Sequence, residues 1–217
     1  MKLCFQHRSG GYRAVNRLIA GVVSERGSQI VEFAVALPLL VVFVVGIFDF
    51  SGAFTQKQKL TNAARDAARA AAADPINDLT ATIPVSVQDA FYTIDSFLIA
   101  NQINDCGIAP PAGSMQPQPT PSTWKFQATG SALNGCPSAG LTIIINRGYY
   151  YPAIGTTTPP TLNCTPQAAT GQTAVISTCV SIQYGYQWKF GQAASLLGPT
   201  PLLPSTLSAV AVAMNEN

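Results

Sequence analysis

The sequence predicts an α+β protein in which a long N-terminal helix is followed by a small antiparallel-sheet domain. Three observations carry that expectation. Residues 30–48 form an apolar run, IVEFAVALPLLVVFVVGIF, broken by one charge, Glu32. Residues 50–73 continue without a proline and are rich in alanine, the best helix former. Farther on, Val180, Ile182, Tyr184, Tyr186, Trp188 and Phe190 alternate with Ser181, Gln183, Gly185, Gln187 and Lys189, the period of a half-buried strand. A helical segment followed by a run of strands is an α+β order.

The apolar run has nineteen residues. At ~1.5 Å per residue it spans roughly 28 Å, close to the hydrocarbon thickness of a bilayer. Asp49 closes it. The first 26 residues carry Lys2, Arg8, Arg13, Arg17 and Arg26 against Glu25 alone, whereas Lys57, Lys59 and Arg65 follow the run. That excess of bases predicts a single-pass protein with its N-terminus in the cytoplasm and its C-terminal domain outside. An ordinary cleaved signal is the competing reading, with Ser51-Gly52-Ala53 as the small-residue site. Against it, the run exceeds the usual length of about 7–15 residues and holds a carboxylate. An anchor in which Glu32 snorkels to the headgroups is a second alternative.

Composition agrees. Only 10% of the 217 residues are charged and 47% are hydrophobic, which excludes a disordered chain and is unlike an ordinary soluble domain. From residue 70 onward there are six acids and three bases, so the folded part is slightly acidic and no nucleic-acid partner is expected. Of five cysteines, Cys4 lies in the basic arm, and Cys106, Cys136, Cys164 and Cys179 all follow the apolar run. An even number there predicts two disulfides in an oxidising compartment. Three pairings are open; proximity favours Cys106–Cys136 and Cys164–Cys179. A zinc site is not expected, since no C-x-x-C spacing occurs and His7 is the only histidine.

The start of the apolar run suggests processing. If the chain is cut after Gly27 in Arg26-Gly27-Ser28-Gln29-Ile30-Val31-Glu32-Phe33, Ser28 becomes the first residue and Glu32 the fifth. A carboxylate near the start of a membrane helix costs a few kcal/mol unless neutralised. The cut creates an α-amino group, cationic below pH ~8, that can neutralise the Glu32 of a neighbouring copy. A glutamate at that position, followed by the aromatic Phe33, resembles the processing site of Flp-type pilins.

The resemblance extends over residues 26–73. Arg26-Gly27, Val31-Glu32-Phe33, Leu37-Pro38-Leu39-Leu40, Gly46, Asp49-Phe50 and the run from Leu60 to Ala70 (LTNAARDAARA) are together similar to the TadE-like family, minor pseudopilins of the tight-adherence (Flp pilus) secretion system. The tail, residues 207–216, is weakly similar to the family's closing segment, with Asn215 where a basic residue often precedes the acid. The resemblance implies a pilin-like fold and a structural, non-enzymatic role in assembling a pilus or secretion apparatus. Its expected partners are the lipid bilayer, other pilin-like subunits, secretion platform proteins and a prepilin peptidase. Its expected place is the bacterial inner membrane. Gly27 and Ser28 are then the processing residues, and Glu32 and Phe33 the assembly residues.

The domains expected are therefore a basic leader (1–27), a helix holding the span and its alanine-rich extension (28–73), and an extracytoplasmic α+β domain (74–217). On the extension, Leu60, Ala63, Ala64, Ala67, Ala68 and Ala71 share one side at helical spacing, and Lys57, Lys59, Asp66 and Arg69 lie mostly elsewhere. Pro38 should loosen the helix within the bilayer, and Asp74-Pro75 should end it. Residues 85–99 form a second amphipathic helix with Val87, Ala90, Phe91, Ile94, Phe97 and Leu98 on its apolar face. Residues 107–123 read as an irregular Pro/Gly/Ser/Thr-rich loop. Strands are expected over 124–129, 141–145, 173–190 and 206–214, with a helical turn over 192–197.

Catalytic and cofactor motifs do not emerge. With His7 as the sole histidine, the outer domain has no Ser-His or Cys-His pair. Gly10-Gly11 lacks the context of a phosphate loop. Asp74, Asp78, Asp89, Asp95 and Asp105 read as solvated or capping acids. Tyr149-Tyr150-Tyr151 and Trp188 read first as core and second as a binding surface. The alternative functions are a membrane-anchored binding module with no part in filaments and a secreted enzyme with an unrecognised site.

Overall fold

In the computed structural model, the residues described are 25–77, 79, 81–108, 115–116, 122–131, 134–152, 159–165, 174–189 and 204–216. The turn expected over 192–197, and Cys4, His7, Asp78 and Phe190, lie outside them. Residues up to Phe48 and residues from Asp49 onward form two units. One helix, α1 (Glu25–Ala73), contributes to both. It runs through Pro38 and stops before Asp74-Pro75, where the residue preceding a proline avoids the helical region.

In the first unit α1 is apolar around its circumference, and almost none of that surface is buried by protein. The second unit folds around the other half of α1, helix α2 (Val85–Ala100), and an antiparallel sheet. Four long strands, β2 (Thr123–Ala128), β3 (Leu141–Pro152), β4 (Ala174–Gly185) and β5 (Thr206–Met214), follow in sequence order, and the two-residue β1 (Met115–Gln116) pairs at the edge of β2. Every neighbouring pair is antiparallel, which suits connections between consecutive strands.

Register places one apolar set on one sheet face. Trp124 and Phe126 lie opposite Ile145 and Ile143; those two lie opposite Val180 and Ile182; and these lie opposite Ala211 and Ala209. All join a single core with Leu60, Ala63, Ala64, Ala67, Ala68 and Ala71 of α1 and Val87, Ala90, Phe91, Ile94 and Leu98 of α2. The predicted faces of both helices are thus the buried ones. The buried face of α1 is almost all alanine. Larger residues do the filling elsewhere, as where Phe91 meets Phe126 at a centroid distance of 4.9 Å. Each fully buried Leu, Ile or Phe contributes about 1.5–3 kcal/mol.

Two disulfides pair as proximity favours. Cys106–Cys136 joins residues 30 apart, and Cys164–Cys179 residues 15 apart. Cys164–Cys179 staples the segment around residue 164 to the outer sheet face, where Ile144 and Tyr149 share a second, smaller core with both cysteines. A loop of that size is worth about 3 kcal/mol in a chain-entropy model. This second core explains why Ser181, expected on a solvated face, is fully buried.

Strand lengths depart from expectation in two places. β3 continues beyond residue 145 to Pro152, through a register shift between Asn146 and Tyr149. β4 ends at Gly185 and does not reach residue 190. At its end the chain lies so close to the turn containing Gly140 that only glycine fits: a Cβ on Gly185 would lie 2.6 Å from Pro137 Cβ, and Gly185 N donates to Gly140 O. Beyond it Tyr186 N donates instead to Ser205 O.

Arg147 follows Ile143 and Ile145 on the core face of β3. The bulge takes its N–H out of the ladder, where it donates to Ser122 O, and moves Tyr149 to the outer face. The guanidinium is fully buried. Its Nη1 donates to Ala71 O, to Thr178 Oγ1 (2.7 Å) and to Asn215 Oδ1 (3.3 Å), and Nη2 donates to Asp74 O (2.7 Å). A cation therefore sits at the carbonyl end of α1, where the helix dipole is negative and the last carbonyls lack helical partners. Asn215 closes the arrangement by donating to Arg147 O, and Glu216 N donates to Ala72 O. We predict that Arg147→Ala lowers the unfolding free energy of the second unit by about 3 kcal/mol, because buried acceptors lose their donor. Arg147→Lys should retain little of it, having no planar fork. Denaturant unfolding followed by near-UV circular dichroism measures this; a loss under ~1 kcal/mol in Arg147→Ala contradicts it.

Candidate processing and assembly site

The Gly27–Ser28 bond lies in the first turn of α1, where backbone N–H groups have no helical acceptor and the chain opens at least cost. Glu32 follows Ser28 by four residues. The two positions therefore share a helix face, about 6 Å apart along the axis. Glu32 is exposed, and Phe33 is 65% exposed in the same stretch. Val35, Leu39, Phe43 and Ile47 are likewise exposed, so the apolar surface faces whatever surrounds this unit. A helix apolar all round and uncovered by protein suits a membrane, and α1 is the one helix among the described residues long and apolar enough to cross it.

The second unit begins with a polar contact that sequence reading missed. Asp49, expected only to close the apolar run, is 6% exposed. Tyr186 Oη donates to its Oδ1 and to its backbone oxygen, both at 3.1 Å. Burial, together with the hydrogen bond to the Asp49 carboxylate and its charge, pushes the Tyr186 phenol up to about 12. Trp188 stacks edge-on against Tyr186 at 4.9 Å and lies 5.1 Å from Phe50, and its indole Nε1 donates to Pro204 O at 2.7 Å. The only signal in the sequence was indirect: an aspartate at the edge of an apolar run needs a donor once it is buried.

Burial, then the Asp105 charge, push the Asp95 carboxyl up. Tyr184, next to them electrostatically, is raised by burial and by Asp105 as well. No histidine or thiol nucleophile joins that corner among the described residues, and no group of three or more metal-ligating side chains occurs among them. Of the tyrosine run, Tyr149 is buried in the outer core and Tyr150 is half-exposed at 45%.

Because the folded Tyr186 pKa lies above the unfolded value of about 10, the folded state holds the proton more tightly. Its contribution is complete below pH ~10 and is lost as pH rises toward the folded value. We predict that wild type loses stability more steeply than Tyr186→Phe between pH 10 and 12, while the substitution costs about 1 kcal/mol at neutral pH. Parallel pH profiles of the two proteins in denaturant melts would contradict the Tyr186–Asp49 bond.

Among known proteins, no curated protein and no solved structure matches the chain. A family model does match, over the half of α1 that carries Glu32 and most of the alanine face, and it ends before the sheet begins. Residues 27–69 match the family described as TadE-like protein, the same family that the motifs of this segment resemble.

Proposed function

We propose that this chain is a pilin-like assembly component of a Flp-type pilus or tight-adherence secretion apparatus. One observation carries the reading: the residues that match the TadE-like family coincide with an exposed apolar helix holding Glu32 near its start. In this reading α1 crosses the inner membrane with the basic leader in the cytoplasm and the disulfide-bonded unit outside. A prepilin peptidase cuts between Gly27 and Ser28.

The cut generates a complementary pair on one helix face. The new α-amine at Ser28 and the Glu32 carboxylate lie about 6 Å apart along the axis. A second copy shifted by one turn brings its amine beside the first copy's carboxylate. In a low-dielectric bilayer that pairing offsets the cost of holding Glu32 there. Phe33 packs beside the pair as an apolar contact between copies.

Removal of an ordinary signal after residue 53 fits less well. It would take away Asp49, which is buried and bonded to Tyr186 in the second unit, and Ala53, which is 5% exposed there. The second unit is complete only with the start of its own share of α1.

Two substitutions test the proposal. Gly27→Leu should block cleavage and leave a full-length membrane species, visible as a mass increase of the leader on intact-protein mass spectrometry. An unchanged mature mass would remove the prepilin-like processing. Glu32→Gln should insert and be cleaved as wild type but assemble poorly, read as a several-fold fall in sheared pilus or assembled complex. Wild-type yield from Glu32→Gln would show that Glu32 only marks the edge of the span.

A further inference from the structure

The second unit carries an aromatic face at the point where the chain leaves the apolar run. Phe50 and Phe54 are 54% and 66% exposed, and lie four residues apart on α1. Lys57 follows three residues later on the same side. With Trp188, Pro204 and Leu207 they border an open groove of about 410 Å³. Trp188 is fixed in place from two directions, by Phe50 and by its bond to Pro204 O.

Chain continuity says what meets this face. The apolar run ends at Phe48, so Phe50 follows it by about 3 Å of helix rise and Phe54 by about 9 Å. The headgroup layer on each side of a bilayer is roughly 5–7 Å thick. Phe50 therefore cannot leave that layer however the second unit is oriented, and Trp188 is in ring contact with Phe50. An indole with an apolar body and a bonded N–H favours this layer, and a lysine one turn farther out can reach lipid phosphates. The buried Asp49 removes the one adjacent group that lipid would repel, since its carboxylate is turned to Tyr186.

We propose that Phe50 and Trp188 form a docking surface for the phospholipid bilayer, with Phe54 at its water-side rim and Lys57 reaching back to lipid phosphates. The surface gives the folded unit its own grip on the membrane, apart from the span. The proposal rests on the reading of residues 30–48 as that span.

The chain has two tryptophans, and Trp124, at 7% exposed, is an internal reference. The full-length protein is reconstituted at high dilution into phosphatidylethanolamine/phosphatidylglycerol vesicles with lipids spin-labelled at the headgroup or at acyl carbon 5. In Trp124→Phe, emission from Trp188 should fall at least twofold with either label and resist aqueous iodide. In Trp188→Phe, emission from Trp124 should stay unchanged. Wild type, which needs no substitution, should lose the Trp188 share of its emission. Trp188 quenched by iodide and not by labelled lipid overturns the proposal. So does a Trp188 that becomes shielded only as protein density rises, which would give the face to a second copy. Phe43→Trp, in a chain lacking both native tryptophans, reports on the span: if it too escapes the lipid quenchers, the span reading fails, whereas its quenching beside an unquenched Trp188 overturns the docking surface alone.

Discussion

The buried Arg147 guanidinium binds the carbonyl end of α1, and the second unit is organised around that contact. Four different parts of the chain meet there: Ala71 and Asp74 at the end of α1, the β3 bulge, Thr178 of β4 and Asn215 after β5. A buried cation without partners would cost several kcal/mol, so the position is tolerable only when all these acceptors are in place. The contact thus couples the end of the helix to the closing of the sheet. The bulge beside it serves the other face, since it turns Tyr149 away from the side of Ile143, Ile145 and Arg147 and into the outer core.

That coupling gives α1 two roles along one length. Its second half is core, with alanines on the buried face. Its first half is apolar on the outside and uncovered by protein. Alanine gives the second half high helix propensity and leaves little apolar burial per residue. The shortfall is met by α2, by the isoleucines of β3 and β4, and by the two disulfides. In a small domain of this kind such staples supplement a limited core. The outer sheet face shows it directly, since Cys164–Cys179 sits inside the second core and not at its rim.

Most of this was legible in local patterns. Leu60, Ala63, Ala64, Ala67, Ala68 and Ala71 could be placed on one buried face because helical spacing alone determines it. The face of α2 followed in the same way. Cysteine proximity favoured the observed pairing because each partner lies near the other in the chain. What local patterns could not show were contacts set by tertiary geometry. Arg147 reads as one more base in a slightly acidic domain until the end of α1 comes to lie over the core face of β3. Asp49 reads as a boundary charge until Tyr186 arrives from 137 residues away. The alternation from Val180 to Phe190 looks like one strand, yet β4 ends at Gly185 beside the turn containing Gly140, which frees Tyr186 and Trp188 for the base of the unit. In β5 Leu207, Ala209 and Ala211 face the main core, and Val210 and Val212 pack against the outer one.

A single helix that ends in a folded core and begins with the proposed processing site is the centre of the account. The N-terminal residue of the mature protein, isolated from its native envelope and read by Edman degradation or intact mass, tests it most directly. The account predicts a chain beginning at Ser28, with α1 whole and Asp49 still present to receive Tyr186. A mature chain beginning at Ala53 or Phe54 would contradict it, since the span, Glu32 and the Asp49 contact would all have been discarded with the leader.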